Sequence, residues 1–86
     1  MYSLLYKKSV EKDLRKLPAS IRKVIIKKIQ TLSENPQPNS SVKLRGATNL
    51  YRIRHMDYRV VYSVDSGELI ILVIKVAHRR EVYRDF

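Results

Sequence analysis

Arginine is placed with marked regularity between residues 50 and 62. In Leu50-Tyr51-Arg52-Ile53-Arg54-His55 it alternates with Tyr51, Ile53 and His55. In Tyr58-Arg59-Val60-Val61-Tyr62, Tyr58, Val60 and Tyr62 fall on one side, Arg59 and Val61 on the other. Alternation is the period of a strand, whose successive side chains point to opposite faces. A tight turn at Met56-Asp57 pairs residues whose numbers sum to about 113. Arg54 then stands opposite Arg59, with Arg52 two positions along. Like charges at cross-strand distance repel. Two readings of the set stand: a face splayed into water, and a grip for an anion supplied from outside. The regularity favours the second, since guanidinium is well shaped to hold phosphate by two hydrogen bonds. Lys43 and Arg45, on a short candidate edge strand, extend the set.

A second group follows the last apolar run, His78-Arg79-Arg80-Glu81-Val82-Tyr83. Read alone, His78 is an exposed imidazole and Tyr83 a packing residue. His55 falls on the core side of the alternation and reads as structural. The acids of this half are Asp57, Asp65, Glu68, Glu81 and Asp85, mostly in turns or the tail. None is paired with a histidine at ligand spacing, so no metal is expected. The chain has no cysteine, which excludes a disulfide scaffold, a thiolate zinc site and a thiol nucleophile.

These groups need a scaffold, and the chain has room for one. Its 86 residues predict a single domain over 1–86. An apolar fraction of 44% supplies one core and argues against disorder. With 18 Lys and Arg against 8 Asp and Glu, the net charge is +10. A polyanion is then the default partner: nucleic acid, an acidic protein or a membrane surface. The first residues carry no stretch fit for a signal peptide, and Leu69 to Ile74 is too short to span a bilayer. The expectation is a cytoplasmic protein without a membrane role.

Tyr2 to Lys7 reads as a first strand. Ser9 is read as the cap of a first helix, with Val10, Leu14 and Leu17 on one face and Pro18 as its stop. Ser20 is read as the cap of a second helix, with Ile21, Val24, Ile25, Ile29 and Leu32 as the buried stripe. Its lysines, Lys23, Lys27 and Lys28, lie mostly outward; solubility, a second stretch of nucleic acid or an acidic partner each account for them. Asn35 to Ser41 is turn-rich. Val42-Lys43-Leu44 reads as an edge strand. Leu50–His55, Tyr58–Val64 and Glu68–Val76 form a meander with turns at Met56-Asp57 and Asp65-Ser66-Gly67. The third of these is apolar on both faces and therefore interior. The fold class is α+β: an N-terminal strand, a helical hairpin, then an antiparallel meander. The helices pack on one face and leave the arginine face open.

Four pieces, in order, resemble the RelE toxins of bacterial and archaeal type II toxin–antitoxin systems. They are Lys43-Leu44-Arg45-Gly46, Tyr51-Arg52-Ile53-Arg54, Asp57-Tyr58-Arg59-Val60-Val61-Tyr62 and Val76-Ala77-His78-Arg79-Arg80-Glu81-Val82-Tyr83. The resemblance implies a RelE/ParE-type fold, with two helices on a curved antiparallel sheet and the first strand beside the last. It implies an endoribonuclease that cuts mRNA in the ribosomal A site, with contacts to ribosomal RNA. It also implies a cognate antitoxin, wrapped around the toxin as an extended or helical segment, through which the pair binds operator DNA. Carried over by position, the family's working residues are Arg52, Arg54, Arg59, Arg79 and Tyr83. The sister branch inhibits DNA gyrase and generally lacks the ending seen here as Arg79 to Tyr83.

RNA carries its own nucleophile, the 2′-OH. Cleavage needs that hydroxyl deprotonated, the phosphate charge neutralised and a proton given to the 5′ oxygen. Preorganised guanidiniums suit the second task. They are poor proton carriers, with a pKa above about 12. Some family members carry lysine where this chain has Arg52 and Arg54, so the general base is left open here. The expectation is that Arg59 and Arg79 hold the phosphate. Arg52, Arg54, Lys43, Arg45 and Arg80 bind substrate, and Tyr83 with His78 shares proton transfer. No cofactor is expected. The competing readings are a gyrase inhibitor, a basic RNA-binding module, and a degenerate toxin kept as an antitoxin partner. The RNA-binding module lacks exposed stacking aromatics, because Tyr58 and Tyr62 face the core.

Overall fold

The change of period at Leu50 marks the sheet, and the sheet positions everything else. The computed structural model describes residues 1–46 and 48–81. The elements are β1 (Ser3–Tyr6), α1 (Lys8–Arg15), α2 (Ala19–Thr31), β2 (Val42–Lys43), β3 (Leu50–His55), β4 (Tyr58–Asp65) and β5 (Ile70–His78). The strands form one sheet in the order β1-β5-β4-β3-β2. β2 to β5 are antiparallel neighbours. β1 lies beside the last strand, as the resemblance implies, and is the parallel member of the otherwise antiparallel sheet. It lies parallel to β5, with Ser3 opposite Ile70 and Tyr6 opposite Val73. Parallel pairing requires a long connection between the strands, and the helices and meander provide it.

Both predicted helix caps are displaced. The Lys7 N–H closes the β1–β5 ladder on the Val73 carbonyl at 2.9 Å, and the Lys7 carbonyl accepts from Val10 at 2.9 Å. One residue ends the strand and opens α1, so Ser9 lies inside the helix and caps nothing. Pro18, not Ser20, precedes α2. Its fixed φ suits a helix entry, and its carbonyl accepts the Arg22 N–H at 2.9 Å. α1 ends at Arg15, before Leu17, which is still buried. On α2, Ile25 and Ile29 are buried, but Val24, expected in that stripe, is 38% exposed.

The core lies between the helices and one sheet face. Val10, Leu17, Ile25, Ile29 and Leu32 meet Ile53, Val60, Tyr62, Val64, Ile71, Val73 and Val76. Burying one such side chain is worth roughly 1.5–3 kcal/mol. β5 begins at Ile70 rather than Glu68. The Asp65 carboxylate accepts the N–H groups of Gly67 and Glu68, and Leu69 has φ 56°, which no strand can continue. β5 also runs two residues beyond Val76, and it is bulged. Val61 pairs with Lys75 and Tyr62 with Val73, leaving Ile74 as an extra residue. Beyond a one-residue bulge, side chains exchange faces. Val76 is therefore in the core. Its N–H donates to the Asp13 carboxylate of α1 at 3.1 Å, with Lys75 Nζ 3.6 Å from that carboxylate.

Candidate active site

The arginine face forms where the alternation places it. Arg54 pairs with Arg59, Arg52 with Val61 and Ile53 with Val60. Ile53 and Val60 belong to the core, so the arginines point away from the helices. That face is not wholly polar: Val61 and Ala77 are buried there with Leu44 against them. Arg59 is tethered rather than splayed. Its Nη1 donates to the carbonyls of Met56 at 3.1 Å and Tyr58 at 3.3 Å. Met56 holds φ 55°, a left-handed conformation that costs a non-glycine residue about 1–2 kcal/mol.

Arg79 reaches the same turn from β5. Its N–H donates to the Asp57 carbonyl at 2.7 Å, and its Nε lies 3.8 Å from the Asp57 carboxylate. Arg59 and Arg79 thus converge on Met56-Asp57, with Arg54 the cross-strand neighbour of Arg59. No local pattern marks Asp57 as a site residue, because its partner follows β5, more than twenty residues on. Arg52 and Arg54, with Ser40 and Val42, line a pocket of about 260 Å³ at the β2 edge. Ser40 and Val42 carry no sequence signal as site residues.

Other expected members are placed elsewhere. His78 is opposite Tyr58, with their rings edge to face at 5.6 Å. It therefore lies on the helix side, and its Nδ1 accepts the Arg80 N–H at 3.2 Å. This corrects its assignment to proton transfer at the arginine face: the Ile74 bulge changes its side. Lys43 pairs with Tyr51, a core-side residue, so it too lies on the helix side. Arg45 stands exposed in the turn after β2, where Gly46 takes φ 76°. Arg80 is also exposed. Tyr83 lies outside the described residues. Among the described residues, no three or more His, Asp or Glu group closely enough to hold a metal ion.

Two tyrosines behind the arginines brace the site. Tyr62 is fully buried, stacks on Tyr51 at 6.0 Å, and donates its hydroxyl to the Pro36 carbonyl at 2.7 Å. Burial pushes its pKa up to about 12, so it stays a donor across the physiological range.

Residues 4–83 match the family model of the ParE toxin of type II toxin–antitoxin systems. The chain belongs to the RelE/ParE family of type II toxins. This RelE-type toxin is 34% identical to the mRNA interferase toxin RelE of Escherichia coli K12 over 88 aligned positions, covering 98% of this chain and 92% of that protein. It is 36% identical to the putative toxin RelE1 of Methanocaldococcus jannaschii over 81 positions, covering 91% and 90%. The isolated E. coli RelE toxin superposes with a TM-score of 0.80 at 31% identity, over 91% of this chain and 84% of that one. RelE from the Pyrococcus horikoshii RelE–RelB complex gives 0.81 at 32%, over 91% and 94%. The RelE-type toxin shares with these structures its two helices and five-stranded sheet.

Proposed function

We propose that this toxin is a ribosome-dependent endoribonuclease that cuts mRNA in the A site without a metal ion. The observation that carries the reading is the meeting of Arg59 and Arg79 on one turn, with Arg54 the cross-strand neighbour of Arg59. The mRNA interferase activity named for the E. coli relative supports it. In the reaction the 2′ oxygen attacks the adjacent phosphorus and the bond to the 5′ oxygen breaks. The products are a 2′,3′-cyclic phosphate and a 5′-hydroxyl. Arg59 and Arg79 hold the phosphate and neutralise its developing charge. Arg59 is suited to this because the turn carbonyls already fix its guanidinium, leaving little to reorganise. Arg52 and Arg54 orient the strand. Tyr83 is the proton carrier, assigned by the family resemblance. His78 is left out of the chemistry because it faces the other side of the sheet.

An arginine face with one weak base binds RNA well and reacts slowly. Positioning must supply much of the rate, and a ribosome that holds the strand provides it. The protein works in the cytoplasm, where mRNA is translated. Its partner is a cognate antitoxin with acidic, amphipathic segments, matched to a surface of net charge +10. The toxin–antitoxin complexes among the structural neighbours support such a partner.

Primer extension on a defined mRNA in a reconstituted translation reaction tests this. Ribosome-dependent cuts at A-site codons are expected. Arg59→Ala should lower their rate by about 10²–10³, the typical effect of removing one preorganised donor, and Tyr83→Phe should weaken them too. Intact mRNA with folded wild-type protein would shift the reading to the gyrase-inhibiting branch, which a supercoiling assay would register.

A further inference from the structure

The pocket at the β2 edge has a wall that the arginine face does not account for. Arg52 and Arg54 come from β3, while Ser40 and Val42 come from the end of the α2–β2 connection and the start of β2. That connection contains no helix or strand between Asn35 and Ser41, yet it is tied down along its length. The buried Tyr62 hydroxyl donates to the Pro36 carbonyl at 2.7 Å. The Gln37 amide donates to the Tyr51 hydroxyl at 3.1 Å. The Ser41 hydroxyl and N–H both donate to the Pro38 carbonyl at 2.8 Å. Prolines at 36 and 38 restrict it further. Ser40 thus sits on an anchored connection and lines the same pocket as Arg52 and Arg54.

The chemistry of that wall fits a nucleotide. Two guanidiniums select phosphate, a hydroxyl adds a third donor, and Val42 offers an apolar surface to a sugar or base. The volume is just below the roughly 300–1,000 Å³ of small-ligand sites, which limits the pocket to a single nucleotide. Arg52 and Arg54 are about 7 Å apart along the strand, a stride close to that of successive phosphates in an extended chain. We infer that Ser40 and Val42 complete, with Arg52 and Arg54, a subsite for one RNA nucleotide next to the scissile phosphate. The Ser40 hydroxyl donates to that nucleotide's phosphate. This rests on the nuclease reading and divides its arginines: Arg59 and Arg79 serve the scissile phosphate at the turn, Arg52 and Arg54 its neighbour.

The test is equilibrium binding of a short 2′-O-methylated single-stranded RNA, which cannot be cut, to the full chain by fluorescence anisotropy. Ser40→Glu is compared with Ser66→Glu, which makes the same charge change in the exposed turn before β5. Ser40→Glu should raise Kd about tenfold over Ser66→Glu. Ser40→Ala should raise it about three- to tenfold, the typical net effect of losing one hydrogen bond. Ser40→Thr, which keeps the hydroxyl, should bind like wild type. All four should melt with wild type. If the two glutamate variants bind alike while wild type binds RNA and cuts ribosome-bound mRNA, the subsite is wrong and the nuclease reading stands. If wild type neither binds the RNA nor cuts mRNA, both fall.

Discussion

The two faces of the β3–β4 hairpin are built by one alternation and serve opposite ends. On the helix side, Tyr51, Ile53, Val60 and Tyr62 pack against one another and against the helices, and Tyr62 is fully buried. On the other side, Arg54 and Arg59 are direct cross-strand partners with like charges. The first face holds the register, and the register forces the second into proximity. Repulsion at a non-core pair costs about 0.2–1 kcal/mol, while each buried core side chain contributes roughly 1.5–3 kcal/mol. The core therefore wins, and the chain keeps a destabilising charge cluster where a phosphate would use it.

The largest effect that tests this contrast is on stability. Ile29→Ala should destabilise the fold by about 2–5 kcal/mol through the cavity it leaves, read by denaturant unfolding. The protein still folded should cleave at the wild-type rate. Arg59→Ala should do the reverse, with the rate loss given above and a melting temperature no lower than wild type beyond the loss of its turn hydrogen bonds. A variant that fails on both counts would show that the two faces are not separable.

Tyr62→Phe probes the link between them and should cost about 1–3 kcal/mol, because the Pro36 carbonyl loses its donor. It also has a pH signature. The raised Tyr62 pKa means that its stabilisation is complete below pH 10 and is lost as pH rises towards 12, since the unfolded phenol ionises first. Above pH 10, wild-type stability should fall more steeply than that of Tyr62→Phe, by up to about 1.4 kcal/mol per pH unit. Equal slopes would mean that the hydroxyl is not buried as described. The smallest effect is that of Arg54→Thr. Relief of the Arg54–Arg59 repulsion should stabilise the fold by about 0.2–1 kcal/mol at low salt, with the gain shrinking as salt is added.

Much of the site is legible in the chain's local patterns. The Met56-Asp57 turn is short, so the pairing of Arg54 with Arg59 follows from counting residues across it, and the observed register agrees. Where distant parts of the chain meet, local pattern is silent or misleads. It gives Asp57 no place in the site, although Arg79 is anchored there from the far end of β5. It gives Ser40 no role, because only the contacts of the Pro-rich connection with Tyr62 and Tyr51 show that it is a fixed wall. It points to Ser9 as the cap of α1, because nothing local shows that Lys7 also closes a ladder on Val73.

Periodicity and a two-residue turn are sufficient for most of the elements, the helix-free arginine face and the hairpin register, and all of these are local properties of the chain. Long-range packing sets which way β1 runs, what the 35–41 connection rests on, and which side His78 and Lys43 occupy. His78 is the clearest case. Continued without interruption from Val73, the alternation puts it with the arginines, but the extra residue Ile74 turns Val76 into the core and His78 with it. A bulge is set by the neighbouring strand and by the Asp13 carboxylate that takes up the Val76 N–H. Those are contacts between residues far apart in the chain, and no local pattern encodes them.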